Sequence, residues 1–119
     1  MSTSQEEFQK FLDEQRAEYR RALPEKVQDI HLRWQALAAC AEVTQELQAM
    51  QELQRLTHSM AGTAGTLGLR DLGLAAKALE LLLEEAGESG PALTTDHRLG
   101  ITSAVAALRA SLPAPAPLS

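Results

Sequence analysis

Residues 53–67 carry a helical pattern with two unlike faces. At about 100° per residue, one arc of this segment is apolar. Its members are Leu53, Leu56, Met60, Ala64 and Leu67. The opposite stripe follows the spacing i, i+3, i+4, i+7 and contains His58, Ala61, Gly62 and Gly65. A helix divided in this way buries its apolar arc, which leaves the histidine stripe facing water.

The two glycines of the outer stripe need a physical reason, because a glycine inside a helix costs up to about 1 kcal/mol relative to alanine. One explanation is that a partner surface lies close to the backbone beside His58. The other is that a neighbouring helix of the same fold packs against Gly62 and Gly65, with His58 at the rim. The glycines oppose the apolar arc, which favours the intermolecular contact.

The remainder of the chain also has helical patterns. Hydrophobic residues make up 45% of the 119 residues and aromatic residues only 3%, which suits helices and argues against a sheet. Capping residues and prolines predict five helices, with starts near Ser4, Pro24, Thr44 (after a break at residues 42–45) and Asp71, and at one of Thr94, Thr95 or Asp96. The third helix is expected to end at Leu67 with Gly68 as its cap. Five amphipathic helices with short connections predict an all-α antiparallel bundle.

Apolar spacing also identifies residues that we expect in the core. Trp34 lies on the apolar stripe of the second helix, so it is expected to be a core residue rather than a ligand platform. The expected apolar positions of the fifth helix are Leu99, Ile101, Val105, Leu108 and Leu112.

Length and charge limit the classes of protein that need to be considered. The length of the chain predicts a single domain over residues 1–112, and the composition of residues 113–119 predicts a Pro/Ala-rich, disordered tail. A net charge of −5 argues against non-specific binding to nucleic acid. The N-terminus has no signal-peptide pattern, no apolar run reaches membrane length, and Cys40 is the only cysteine. We therefore expect a cytoplasmic protein that binds neither nucleic acid nor membrane.

The stretch from Leu53 to Glu80 resembles the signature of histidine-containing phosphotransfer (HPt) domains, which carry a phosphoryl group between proteins of bacterial-type phosphorelays. The family pattern has a histidine, an aliphatic residue, a glycine and a small residue, met here by His58, Met60, Gly62 and Ala64. Its later positions are met by Gly68, Leu72, Ala76, Leu79 and Glu80. The resemblance implies a monomer in which helices two to five form a four-helix bundle and the first helix packs across one end.

The resemblance also implies a site. His58 would be the phosphoacceptor, attacking through Nε2. Many HPt domains have a lysine three residues after this histidine, but Ala61 stands there in this chain. Arg55, one helical turn before His58, is the nearest candidate in the sequence for the missing cation.

The partners implied by the resemblance are the receiver domains of a hybrid histidine kinase and of a response regulator. Receiver sites are acidic and hold Mg²⁺, so the chain itself would need no metal or other cofactor. The expected docking residues are Arg55, Ser59, Ala61, Gly62, Gly65 and Arg70. No Asp or Glu occurs between Glu52 and Asp71, which fits docking onto an acidic pocket, although chance in a short Gly- and Ala-rich window also explains the gap.

Autonomous catalysis is not indicated. The chain lacks a G-x-x-x-x-G-K-[ST] phosphate loop, and no His/Cys cluster has the spacing of a zinc site. Thr57 and Ser59 flank His58, but we expect no carboxylate near them to complete a hydrolytic triad. The sequence therefore predicts a phosphoryl carrier. The alternative is a helical adaptor that binds receiver or kinase domains through the same face without being phosphorylated.

Overall fold

The structure, a computed structural model, describes residues 3–39, 43–88 and 93–113. In these ranges the chain forms four helices: α1 (Thr3–Ala38), α2 (Val43–Thr66), α3 (Arg70–Glu88) and α4 (Thr95–Ala110). The largest contact joins α2 to α3, α4 packs on α3, and α1 packs on both α2 and α4. The predicted all-α bundle is confirmed.

Hydrogen bonds between the helices show that neighbouring helices run in opposite directions. Arg16, in the first half of α1, donates to the carbonyl of Leu67 at the end of α2, at 2.9 Å. Arg98, near the start of α4, donates to the carbonyl of Ala38 at the end of α1, at 2.7 Å. The four helices therefore form an antiparallel bundle.

The prediction of two separate N-terminal helices was wrong, because α1 continues through Pro24 for 36 residues. Proline removes one backbone hydrogen bond, but the fully buried Leu23 and Val27 on either side of it hold the helix against the core. The N-terminal part does not form a separate helix across the end of the bundle. Residues 3–10 are exposed throughout, so α1 projects beyond the core along its own axis.

The turn between α2 and α3 was predicted correctly at its cap. Gly68 has φ = +77°, and its N–H donates to the carbonyl of Gly65 at 3.2 Å. Leu69 N–H donates to the carbonyl of Ala64 at 2.8 Å, which completes a Schellman motif. Asp71 is not a cap, since α3 begins one residue earlier and places Asp71 in its first turn.

The remaining predicted helix starts had mixed outcomes. Thr94 caps α4, because its hydroxyl accepts from the N–H of His97 at 3.0 Å. Thr44 is not a cap, because α2 already begins at Val43. Residue 42 of the predicted break, Cys40, and residues 114–119 of the predicted tail lie outside the described residues.

The core lies between the apolar stripes of the four helices. Trp34 is buried as predicted, and its Nε1–H donates to Oγ1 of Thr102 at 3.0 Å. Ile101, Val105 and Leu108 of α4 are buried as predicted, but Leu99 is 66% exposed. It precedes Ile101 by two residues and therefore lies on the opposite side of the helix. None of the helices in the described ranges combines the length and the hydropathy that a membrane span requires.

Candidate functional site

His58 lies on the outer face of α2, and 78% of its side chain is exposed. The neighbouring residue Thr57 is fully buried, and its hydroxyl donates to the carbonyl of Leu53 at 2.7 Å. Met60 and Ala64 are also buried. The apolar arc therefore turns inward and holds the histidine stripe toward solvent, as the pattern predicts.

A buried carboxylate of α3 contacts the His58 ring. Nδ1 of His58 lies 2.5 Å from Oε2 of Glu80, whose side chain is only 3% exposed. The second oxygen of the same carboxylate, Oε1, accepts from Nζ of Lys77 at 2.6 Å. Glu80 thus joins the histidine of α2 to a lysine of α3.

The charges of this cluster determine which ring nitrogen is available. The Lys77 ammonium lowers the pKa of Glu80 below its ordinary value and the His58 ring acts in the same direction, while burial opposes them. Glu80 is therefore ionised at neutral pH and can only accept hydrogen bonds. In the neutral ring, Nδ1 must carry the proton that Glu80 accepts, so the lone pair lies on Nε2.

The expectation that no carboxylate stands near His58 was wrong, because the fold places Glu80 beside the ring. The acid-free window between Glu52 and Asp71 is present in the sequence, but α3 packs on α2 and brings in Glu80 from 22 residues away. One signal in the sequence could have identified it. Glu80 falls on the core-facing stripe of α3, between Ala76 and Leu83, where an acidic residue requires a partner.

The space around Gly62 and Gly65 distinguishes between the two explanations for these glycines. A Cβ added at Gly62 or at Gly65 meets nothing within 4 Å. At Gly73 of α3, in contrast, a Cβ would lie 3.5 Å from the backbone N of Gly65 and 3.7 Å from Cβ of Ala64. Gly73 therefore lies where α3 packs against α2, with room for a Cβ in ordinary van der Waals contact. Internal packing does not account for Gly62 and Gly65.

The other predicted site residues are only partly brought together with His58. Ser59 is exposed and Ala61 is half-buried, both beside the ring on α2. Arg70 is exposed at the first residue of α3 and lines the same groove as His58. Arg55 is instead paired with Glu52, at 2.6 Å from its Nη2 to Oε1.

Two open grooves meet at His58. The first, of about 780 Å³, lies between α1 and α2, and its lining includes Phe11, Leu12, Tyr19, Ser59, Gly62 and Thr66. The second, of about 440 Å³, lies between α2 and α3, and its lining includes Ala61, Gly62, Gly65, Arg70, Gly73 and Lys77. Phe11 and Leu12 form part of one wall of the first groove. The sequence did not predict this wall, because the N-terminal helix was expected to end before Pro24. Sequence reasoning also missed Lys77.

The described residues contain no group of three or more His, Cys, Asp or Glu side chains placed to hold a metal ion. The site is therefore a surface imidazole, a buried carboxylate and a lysine, at the junction of two grooves. An imidazole held in this way can accept a group at Nε2 and give it up again to a second reactant.

Comparison with protein families gave the match described next, while comparisons with curated proteins and with solved structures gave none. The model of the Hpt domain family matches residues 5–111. This range contains His58, Lys77 and Glu80, the parts of α1 that line the first groove, and α2 to α4 in full. Because the match covers most of the chain and includes the site described above, the protein belongs to the Hpt domain family.

Proposed function

We propose that His58 accepts a phosphoryl group from a phospho-aspartate on the receiver domain of a hybrid sensor kinase and passes it to an aspartate of a response regulator. Membership of the Hpt family gives the protein a phosphotransfer role in phosphorelays. One observation carries the assignment to His58. Its ring is exposed, and its Nδ1 is held by a buried, ionised carboxylate that leaves Nε2 for the partner.

The chemistry requires a nucleophile with a defined tautomer. In the proposed step, the Nε2 lone pair attacks phosphorus while the bond from phosphorus to the aspartyl oxygen breaks, and its electron pair stays on the departing carboxylate. The ring then carries a positive charge, because Nδ1 keeps its proton. Glu80 accepts that proton in a hydrogen bond, so its negative charge stabilises the phospho-imidazolium. The return step reverses these changes on a second aspartate.

Docking onto a receiver is supported by the shape and charge of the surface. Open space above Gly62 and Gly65 allows a partner to lie against the backbone of α2. Glu80 is buried, and Lys77 neutralises its charge, so the carboxylate does not repel an acidic partner. Phe8 and Phe11 of α1 are 62% and 54% exposed, and Phe11 lines the first groove. We propose that this groove receives an apolar part of the receiver domain.

Exposure of the ring supports a carrier rather than an enzyme that works alone. Two receiver domains must reach the same nitrogen in turn, so a closed pocket would prevent the second transfer. The receiver would supply Mg²⁺ with its own acidic site, so the proposal requires no metal ion on this chain. We further propose that the protein is a monomer and that it works in the cytoplasm, where it would meet both partners.

Phosphotransfer from purified receiver domains tests the proposal. Receiver domains from hybrid kinases of the source organism, phosphorylated with ³²P, are mixed with the wild-type protein and with His58→Gln. We expect label on the wild type from at least one receiver and none on His58→Gln. The His31→Gln variant is a matched control, since it removes a half-buried histidine of α1. We expect it to be labelled like the wild type.

A second step tests the role as a carrier. The labelled protein is isolated and mixed with response-regulator receivers, and label should leave His58 and appear on one of them. A receiver complex that forms without any label on the wild type would instead indicate an adaptor and would exclude the carrier function.

A further inference from the structure

Lys77 shares the groove between α2 and α3 with His58. Its ammonium donates to Oε1 of Glu80, while Nδ1 of His58 contacts Oε2 of the same carboxylate. We propose that Lys77 is the cation that contacts the phosphoryl group on His58, in place of the lysine that Ala61 does not supply. This inference rests on the carrier function proposed above.

The close approach of α3 to α2 brings Lys77 to this place. A Cβ at Gly73 would lie 3.5 Å from the backbone N of Gly65 and 3.9 Å from the carbonyl oxygen of Ala61. Lys77 follows Gly73 by four residues, so its stem begins one turn further along the same face of α3. Ala61 contributes only a methyl group to the opposite wall. Lys77 therefore enters the groove from the α3 side. A lysine at position 61 would instead enter the same groove from the α2 side.

The charges of the cluster give Lys77 a specific task. Without it, the ionised Glu80 beside the ring would repel an approaching phosphoryl group. The Lys77 ammonium has three protons, of which one is donated to Oε1 of Glu80. Its side chain is 55% exposed, so the remaining protons can reach phosphoryl oxygens on the solvent side of the groove. Lys77 thus neutralises the carboxylate and can contact the transferred group.

Two other cations near the site are less suitably placed. Arg55 is engaged with Glu52 through two hydrogen bonds, from Nε and from Nη2. Arg70 lines the groove but precedes Lys77 by seven residues, which is about 10 Å along the axis of α3. Lys77 is the cation that shares a carboxylate with His58.

Phosphorylation by a small donor tests this role without any receiver domain. Phosphoramidate carries a phosphoryl group on ammonia; Nε2 of His58 attacks phosphorus, the P–N bond breaks and ammonia leaves. The rate of phospho-His58 formation is measured for the wild type, Lys77→Gln, Lys77→Arg and the charge-matched control Lys26→Gln, a lysine that lies over the Tyr19 ring of α1. We expect Lys77→Gln to be about 10- to 100-fold slower, Lys77→Arg to recover most of the rate, and Lys26→Gln to react like the wild type.

A second readout separates contact with the phosphoryl group from support of Glu80. The ³¹P resonance of phospho-His58 should differ between Lys77→Gln and the wild type, while Lys26→Gln leaves it in place. The Nδ1–H resonance of the unphosphorylated His58 should remain that of a hydrogen-bonded ring in Lys77→Gln. An unchanged ³¹P resonance together with a lost Nδ1–H hydrogen bond would show that Lys77 only positions Glu80, which overturns the proposal.

The outcomes distinguish this inference from the proposed function. Equal labelling rates for the wild type and Lys77→Gln overturn the inference alone, as does slowing in Arg55→Gln but not in Lys77→Gln. If wild-type His58 is labelled neither by phosphoramidate nor by any receiver, the carrier function fails and the role of Lys77 fails with it.

Discussion

Glu80 Oε2 lies 2.5 Å from Nδ1 of His58, although 22 residues separate the two in the chain. The carboxylate is buried, while the ring that it contacts is 78% exposed. A buried carboxylate that accepts a hydrogen bond from an exposed ring need not contribute to the stability of the fold. Buried ion pairs can often be replaced by apolar side chains without loss of stability. The effects of Glu80 on function and on folding can therefore be measured separately.

Replacement of Glu80 by methionine separates these effects. In Glu80→Met, we expect the free energy of unfolding to stay within about 1 kcal/mol of the wild type or to rise, because an apolar side chain of similar length fills the site. Phosphotransfer should fall at least about tenfold, since no carboxylate stabilises the phospho-imidazolium. Urea unfolding and the ³²P assay measure the two quantities. A large loss of stability with normal transfer would show that Glu80 is a structural residue.

The pH dependence of stability follows from the lowered pKa of Glu80. Because the folded protein holds this pKa below its ordinary value, chiefly through the Lys77 ammonium, the contribution of Glu80 to stability is fully present above the ordinary value. That contribution is lost as the pH falls through the folded-state value. We expect the difference in free energy of unfolding between wild type and Glu80→Gln to shrink as the pH falls below the ordinary value of 4.5. A difference that grows toward low pH would contradict the assignment.

Gly62 tests docking without disturbing the core. A Cβ at this position meets nothing within 4 Å, so we expect Gly62→Leu to fold and to gain up to about 1 kcal/mol of stability from helix propensity. The leucine should nevertheless obstruct a receiver and reduce the transfer rate at least about tenfold. Gly62→Ala is the matched control, with the same gain in propensity and little added bulk. Unaltered transfer in Gly62→Leu would mean that the partner does not lie on this surface.

Gly73 tests the packing of α3 on α2. A Cβ there already lies in van der Waals contact with Gly65 and Ala64, so Gly73→Ala should be tolerated. The larger side chain of Gly73→Leu should push the two helices apart and lower the free energy of unfolding by about 1–3 kcal/mol. Calorimetry or urea unfolding measures both variants. The same substitution at Gly62 and at Gly73 should thus change stability in opposite directions.

Pro24 tests the continuity of α1. It is exposed inside a helix of 36 residues, where proline removes a backbone hydrogen bond. We expect Pro24→Ala to raise the free energy of unfolding by about 1–2 kcal/mol, because the regained helix propensity exceeds the loss of the restraint that proline places on the unfolded chain. A destabilised Pro24→Ala variant would show that the proline supports the helix at this point.

Several features of the site were predictable because they depend on neighbouring residues alone. The period of the apolar residues places His58 and Gly62 on the face of α2 opposite the core. Gly68 ends α2 because it adopts a positive φ, which favours glycine. Both features follow from the residues of one helix and its cap, so a single sequence contains the information that they need.

The sequence by itself determined the all-α class, the apolar face of α2, the exposed histidine and the resemblance to the family. Only the tertiary structure decided that α1 continues past Pro24, that Gly73 is the glycine between packed helices, and that Glu80 contacts both His58 and Lys77. The reason is physical. Periodicity and capping depend on adjacent turns of one helix, whereas the contacts of His58 depend on the axial register between α2 and α3. Packing across the whole interface sets that register.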